Sequence, residues 1–418
     1  MFLRRSSLVF LPLRQLGTNL RGRPKTVFAL SLVLCLLGGW GGVKLWAAHH
    51  LSEAERAWQE DRLDDAREHL KASAQLFPLE SHLFGARMER LLTNYAEAEK
   101  HLRACRKIQG MTSRLQLEWV LLRALQGEIA GLEGGLWESV KKNDPHTSLI
   151  LEALSLCYLR DLRYQAAAFC LNKLLEREPD NLRALDWRSW VWEKLDNKEG
   201  LIEDCNRALK LCPQLWKIRL RLAWALLMDN NLPAATEHTR ILQQTNPDFP
   251  EVRLLVARWQ MLKGQTTESR QTLDALLVDH PDYPTALLYR GKMAEDPIEQ
   301  EKYFRRALKS DPYLSEAMWH LARCLEKQQR SQEAQEFQAR HKKMEKDFRR
   351  LKTTFDMLEK SPSPALLAQI AEIYLELGLP DNARRFFGKV LQLDPNNRKA
   401  LEAIESLTRQ LSASKSKR

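Results

Sequence analysis

The chain has 418 residues, a formal net charge of +11 and seven cysteines. The charge excess sits at the two ends: residues 1–50 carry seven Lys/Arg and no acid, residues 409–418 carry four and no acid, and the remainder is neutral. A neutral middle does not favour nucleic-acid binding, and the cysteines show neither a CxxC pair nor zinc spacing.

Residues 1–25 read as a basic arm, with Arg4, Arg5, Arg14, Arg21, Arg23 and Lys25. Thr26–Val43 follows without a charge. As a helix this run spans about 27 Å, close to the hydrocarbon thickness of a bilayer. Lys44 can snorkel while Leu45–Ala48 lengthen the span, giving an expected transmembrane helix over 26–48. Acids (Glu53, Glu55, Glu60, Asp61, Asp64, Asp65) appear only after it. The positive-inside rule then keeps the N-terminus cytoplasmic and puts the rest of the chain across the membrane. A cleaved signal peptide fits less well, because Trp46 stands where a small residue is needed. A lipoprotein signal is disfavoured by Leu34 before Cys35. Gly38 and Gly42 form a GxxxG pair through which two anchors can pack.

From Leu51 the chain divides into about nine helical-pair units covering 49–411. Leu51–Pro78, Leu79–Gly110 and Met111–Pro145 are irregular. Four regular units run from His146 to Pro281. Leu151, Leu154, Tyr158 and Leu159 make one helical face, and Ala167, Leu171, Leu174 and Leu175 make its partner. Asp282–Pro312 is three residues short, with Asp296-Pro297 in its turn. Tyr313 onward begins as another unit, but its second helix runs on over 331–360. Met344, Phe348, Leu351, Phe355 and Leu358 alternate steps of four and three, a coiled-coil-like seam. Two readings stand for this helix: a seam buried by the next unit, or a basic docking or self-association arm. Ser361-Pro362-Ser363-Pro364 breaks it, and a last unit and a capping helix follow. Residues 412–418 read as a disordered basic tail.

Pro145, Pro179, Pro213, Pro247 and Pro281 stand 34 residues apart. Asp196, Asn230 and Gly264 keep the same interval as turn formers that tolerate a left-handed backbone. Ala167, Leu201, Ala235 and Ser269 keep it too, and let paired helices approach. With Tyr374, Gly378, Ala383, Phe387 and Pro395, and with Tyr158, Ala167 and Pro179, this pattern resembles the tetratricopeptide repeat family. The family's tryptophan near the start of the first helix is replaced by leucine, arginine or methionine in most copies. The resemblance implies an all-α, right-handed superhelical solenoid whose first helices line a concave groove for peptides or partner helices.

Read in that register, the groove positions are Arg183, Asp186, Trp187 and Trp190, then Lys217, Leu220, Arg221, Trp224 and Met228. Further along they are Glu251, Leu254, Leu255 and Arg258, then Trp319, His320 and Arg323. Tryptophan and arginine together are the composition of binding hot spots. The competing reading packs Trp187, Trp190 and Trp224 inside a tight superhelix, and Trp192 falls on a core position. Lys217 and Arg221 occupy two basic positions of the family's carboxylate-clamp subgroup. Trp187, Glu152 and Leu156 replace the rest of that clamp.

No HExxH, GxSxG, GxGxxG or phosphate-loop motif is present, and no cofactor or metal is expected. Cys105, Cys157, Cys170, Cys205, Cys212 and Cys324 read as small buried hydrophobes. The expected function is a membrane-tethered, non-catalytic scaffold for proteins or peptides. The alternatives are an accessory subunit of a membrane-bound enzyme complex, or an enzyme with an unrecognised site.

Overall fold

The computed structural model describes the backbone of residues 24–361 and 363–415, and side chains from Gly42 onward except at 130, 359, 362 and beyond 409. Among the described residues there are 21 α-helices and no strand. They form two compact units, Met1–Gln116 and Leu117–Arg418.

In the first unit, α1 (Pro24–Gln59) pairs with α2 (Leu63–Ser73), and α3 (Pro78–Leu91) pairs with α4 (Tyr95–Gln109). The α1 helix runs unbroken through the boundary expected at 48–49, and Ala47, Ala54 and Ala57 are all buried. Alanine at these positions lets α2 lie close against α1. Val43, Leu45 and Trp46 on the same helix are exposed, Leu45 by 74%. Among the described residues no helix is long and apolar enough to cross a membrane. The Thr26–Val43 run lies, but for Gly42 and Val43, outside the described side chains. So does Gly38, and residues 1–23 of the basic arm lie outside the description altogether.

The helices α5 (Ser113–Arg123) and α6 (Ile129–Lys141) are joined across a kink within Ala124–Glu128. This replaces the helix–turn–helix expected of Met111–Pro145. The break comes at Gly127, whose φ of 115° only glycine adopts readily.

The regular repeats follow as helix pairs. They are α7 (Thr147–Arg160) with α8 (Tyr164–Arg177), α9 (Leu182–Lys194) with α10 (Lys198–Leu211), and α11 (Trp216–Met228) with α12 (Leu232–Thr245). Next are α13 (Pro250–Leu262) with α14 (Thr266–Asp279), and α15 (Pro284–Met293) with α16 (Pro297–Ser310). Then come α17 (Ser315–Lys327) with α18 (Ser331–Lys360), and α19 (Pro364–Glu376) with α20 (Pro380–Leu393). The helix α21 (Arg398–Lys415) closes the unit, its backbone helical into the stretch expected as a disordered tail. Residues 416–418 lie outside the description.

The 34-residue period is a period of backbone conformation. Leu162, Asp196, Asn230 and Gly264 have φ of 59°, 56°, 60° and 75°. In each turn the next amide reaches back to the third residue from the helix end: Arg163 N to Tyr158 O, Asn197 N to Trp192 O, Asn231 N to Leu226 O, Gln265 N to Gln260 O, all 2.9 Å. This is the Schellman arrangement, which satisfies carbonyls that the helix leaves open. Asn181, Asn197 and Asn231 then cap the following helices, each side-chain oxygen accepting an amide three residues on. The expected small positions Ala167, Leu201, Ala235 and Ser269 are all buried. In the short repeat the missing residues come out of the first helix. The α15 helix ends at Met293, Ala294 is extended, and Asp296 caps α16.

The helix over 331–360 is present, but its buried seam is not the one read from apolar residues. Met344, Asp347, Leu351, Thr354 and Leu358 are the buried positions, while Phe348 is 42% exposed. Asp347 is tolerated there because Arg350 donates to it at 2.9 Å, and Thr354 returns its hydroxyl to Arg350 O at 2.8 Å. The seam packs with Ile370, Tyr374, Phe386 and Phe387 of the last repeat. Each fully buried side chain of this size contributes roughly 1.5–3 kcal/mol. The reading in which the next repeat buries this helix therefore holds for Met344, Leu351 and Leu358 and fails for Phe348.

The second unit also turns back on itself. Leu162, in the α7–α8 turn, packs on the core of the last repeat. Asp161 beside it pairs with Arg385 at 3.6 Å and with Lys389, both on α20. The Tyr313 hydroxyl donates to Gly378 O at 2.7 Å and ties the turn before α17 to the turn after α19.

Candidate partner-binding cleft

A cleft of about 570 Å³ opens between the α9–α10 pair and α11. Trp190, Trp192 and Glu193 come from the end of α9, and Lys217, Arg221, Trp224 and Met228 from one face of α11. On α11 the steps from 217 to 221, 224 and 228 are four, three and four, so one helical stripe faces the opening. Six of the sixteen expected groove residues are thus brought together: Trp190, Lys217, Leu220, Arg221, Trp224 and Met228.

Their environments differ. Met228 is 58% exposed at the rim. Trp190 is half-buried, edge-on to Tyr164 with ring centroids 5.6 Å apart, and Lys194 Nζ stands 5.2 Å over it. Trp224 is half-buried and packs on the core beneath α13 and α15 while lining the cleft. Groove and core readings therefore both describe it. Arg221 is not a loose cation. It donates to Asp186 Oδ1 at 2.6 Å and Ser189 Oγ at 2.8 Å, which stitches α11 to α9.

Trp192 corrects the sequence reading. It was expected in the core, yet it is half-buried and lines the cleft. Its indole N–H donates to Asp204 Oδ2 at 3.0 Å. Asp204 is buried and also receives Arg188. The pattern along α9 gave no sign of this, because the residue that orients the ring lies on the next helix. Glu193, Asp196 and Lys198, also missed, put charge at the edge of the opening.

The other expected groove residues lie elsewhere. Arg183 sits 3.6 Å from the buried Glu152 and serves an ion pair between repeats. Trp187 is half-buried outside the cleft lining. Arg258 lies 5.6 Å over the Tyr289 ring. Trp319 and Arg323 form their own pair on α17, the guanidinium 4.6 Å over the indole.

Family models for the tetratricopeptide repeat match residues 301–343 and 364–397. The chain carries tetratricopeptide repeats. A search of curated proteins finds no significant match. Among solved structures, a tetratricopeptide repeat protein from Parabacteroides merdae is 15% identical, with a TM-score of 0.38 over 69% of this chain and 99% of its own. PilW, a type IV pilus biogenesis factor, is 19% identical, with a TM-score of 0.40 over 46% of this chain and 91% of its own. Human IFIT1, solved as a dimer with m7Gppp-AAAA, is 16% identical, with a TM-score of 0.38 over 76% and 90%.

The tetratricopeptide repeat matched at 301–343 holds a smaller cavity of about 200 Å³ lined by His320 and Arg323 with Lys292. Beside it Glu316 is held down to about 2 by His320 and Lys292, the latter donating at 2.6 Å. Within the regular repeats, burial pushes the Cys205 thiol up to about 12 and raises Cys170 further. All six described cysteines are buried. Burial keeps them away from thiol–disulfide exchange at the surface.

Proposed function

We propose that this protein is a membrane-tethered, non-catalytic scaffold that holds a protein or peptide partner in the Trp190–Trp192–Trp224 cleft. The observation that carries the reading is the convergence of three indoles and an exposed methionine on one 570 Å³ opening. Large rigid aromatic rings provide binding area at little entropic cost, and methionine adapts to varied side chains. The cations and acids at the rim set orientation rather than affinity. An aromatic or aliphatic anchor residue of the partner is the group such a cleft takes.

The tether rests on the uncharged Thr26–Val43 run, its one-sided basic flank and the exposed Leu45 and Trp46 on α1. Tryptophan suits the membrane interface. A tether keeps the bound partner at high local concentration near the bilayer. The proposed topology places the repeats on the far side from the cytoplasm. The six described cysteines are buried and not accessible for disulfide exchange, which is compatible with an oxidising compartment there.

The test is site-specific photo-crosslinking from position 228 of the full chain in its native membrane. A discrete adduct that disappears in a folded Trp224→Ala variant supports the cleft. An adduct that persists in that variant, or none, counts against it.

A further inference from the structure

We propose that the cavity between the α7–α8 turn and α20, where the second unit meets itself, binds a phosphate-bearing small molecule. This cavity is separate from the tryptophan cleft and shares none of its lining residues. Its volume, about 480 Å³, suits a small molecule rather than a polypeptide.

The charge of the lining sets the class of ligand. Arg160, Arg163, Arg384, Arg385 and Lys389 line the cavity, against only Glu133 and Asp161. Asp161 is engaged by both Arg385 and Lys389, and Glu133 by Arg163 at 3.3 Å and by the Tyr158 hydroxyl at 2.6 Å. Three positive charges remain in excess. That surplus is more than one carboxylate neutralises and matches a diphosphate or a phosphate ester with a second anionic group.

One cation of the lining lacks the partner that an oxyanion would supply. Arg384 is exposed at the mouth and makes no ion pair with any described residue. Guanidinium forks match phosphate oxygens in pairs. Burial pulls the Lys389 ammonium below its ordinary range, with Asp161 opposing the shift, so an added anion would be further repaid in stabilised charge. Ile129, Leu367 and Leu393 give the cavity an apolar side for the ligand's body.

The experiment is calorimetric titration of the full chain in non-ionic detergent with inorganic pyrophosphate, at fixed ionic strength, with citrate as comparator. Saturable binding of pyrophosphate is expected, tighter than citrate. Arg384→Ala and Arg385→Ala should each weaken it at least about tenfold. Met228→Glu, at the rim of the tryptophan cleft, should leave it unchanged, so this site stands or falls apart from that one. Arg384→Ala removes no internal ion pair, so its fold should survive, as circular dichroism will report. Absence of saturable binding, tighter binding of citrate, or an unaltered affinity in folded Arg384→Ala overturns the proposal.

Discussion

Trp192 donates its indole N–H to Asp204 Oδ2 at 3.0 Å, and the same buried carboxylate takes Arg188 through two nitrogens at 2.8 and 2.6 Å. One acid on α10 thus fixes a ring of the cleft and a cation of the preceding helix together. Asp204→Ala would leave the Arg188 charge buried without its partner, a loss of about 3–5 kcal/mol. Denaturant midpoints at unchanged m-value would show it, and a loss under about 1 kcal/mol would sink the idea. Trp192→Phe keeps the ion pair and should cost only about 1 kcal/mol while loosening partner binding.

The first unit carries a pH-sensitive contact. His82 and His101 meet Nδ1 to Nδ1 at 2.9 Å, so one ring donates and the other accepts. Burial lowers both below the ordinary 6.5, and His82 lowers His101 further, with Glu89 and Glu97 opposing. The neutral rings are therefore favoured by folding. Their contribution is complete above about pH 6.5 and is lost as pH falls through the lowered values. Hydrogen exchange of the α3 and α4 amides should accelerate on acidification from pH 7 to 5. His101→Gln should flatten that dependence; an equally steep profile would remove the pair from the explanation.

The seam of α18 gives a sharp contrast between neighbours. Leu351 is buried and Phe348 is 42% exposed. Leu351→Ala should cost about 2–5 kcal/mol, and Phe348→Ala no more than about 1 kcal/mol. Equal losses in thermal unfolding would restore the register read from apolar residues alone.

Gly378 has a φ of 72°, and the Tyr313 hydroxyl lies 2.7 Å from where a Cβ would sit. Gly378→Ala meets both obstacles and should destabilise the unit by about 1–3 kcal/mol. Tyr313→Phe isolates the lost hydrogen bond and should cost about 1 kcal/mol. If the alanine variant is milder than the phenylalanine one, the turn is not constrained as described.

The repeat architecture was legible because its constraints are local. In the regular repeats a left-handed residue follows each first helix, and asparagine, aspartate or glycine marks it at 196, 230 and 264. At 162 a leucine does the same work and hides the signal, since its side chain is retained to pack on the last repeat. The stripe Lys217–Arg221–Trp224–Met228 was legible because it lies on one helix. Trp192 and Asp347 were not, because a polar partner elsewhere decides their placement. The meeting of Asp161 with Arg385 and Lys389 had no sequence signature at all, as nothing in a short repeat encodes which distant repeat will lie opposite it.

That meeting changes how the second unit can come apart. A linear stack behaves as a zipper that opens from its ends, each repeat answering only to its neighbours. Here the α19–α20 pair holds the α7–α8 turn through Asp161 and Leu162. Fraying from the C-terminal side must break a contact with an early repeat before it can spread. The array acquires the long loop closures of a globular domain, and with them sharper melting and slower folding than repeat number alone would give.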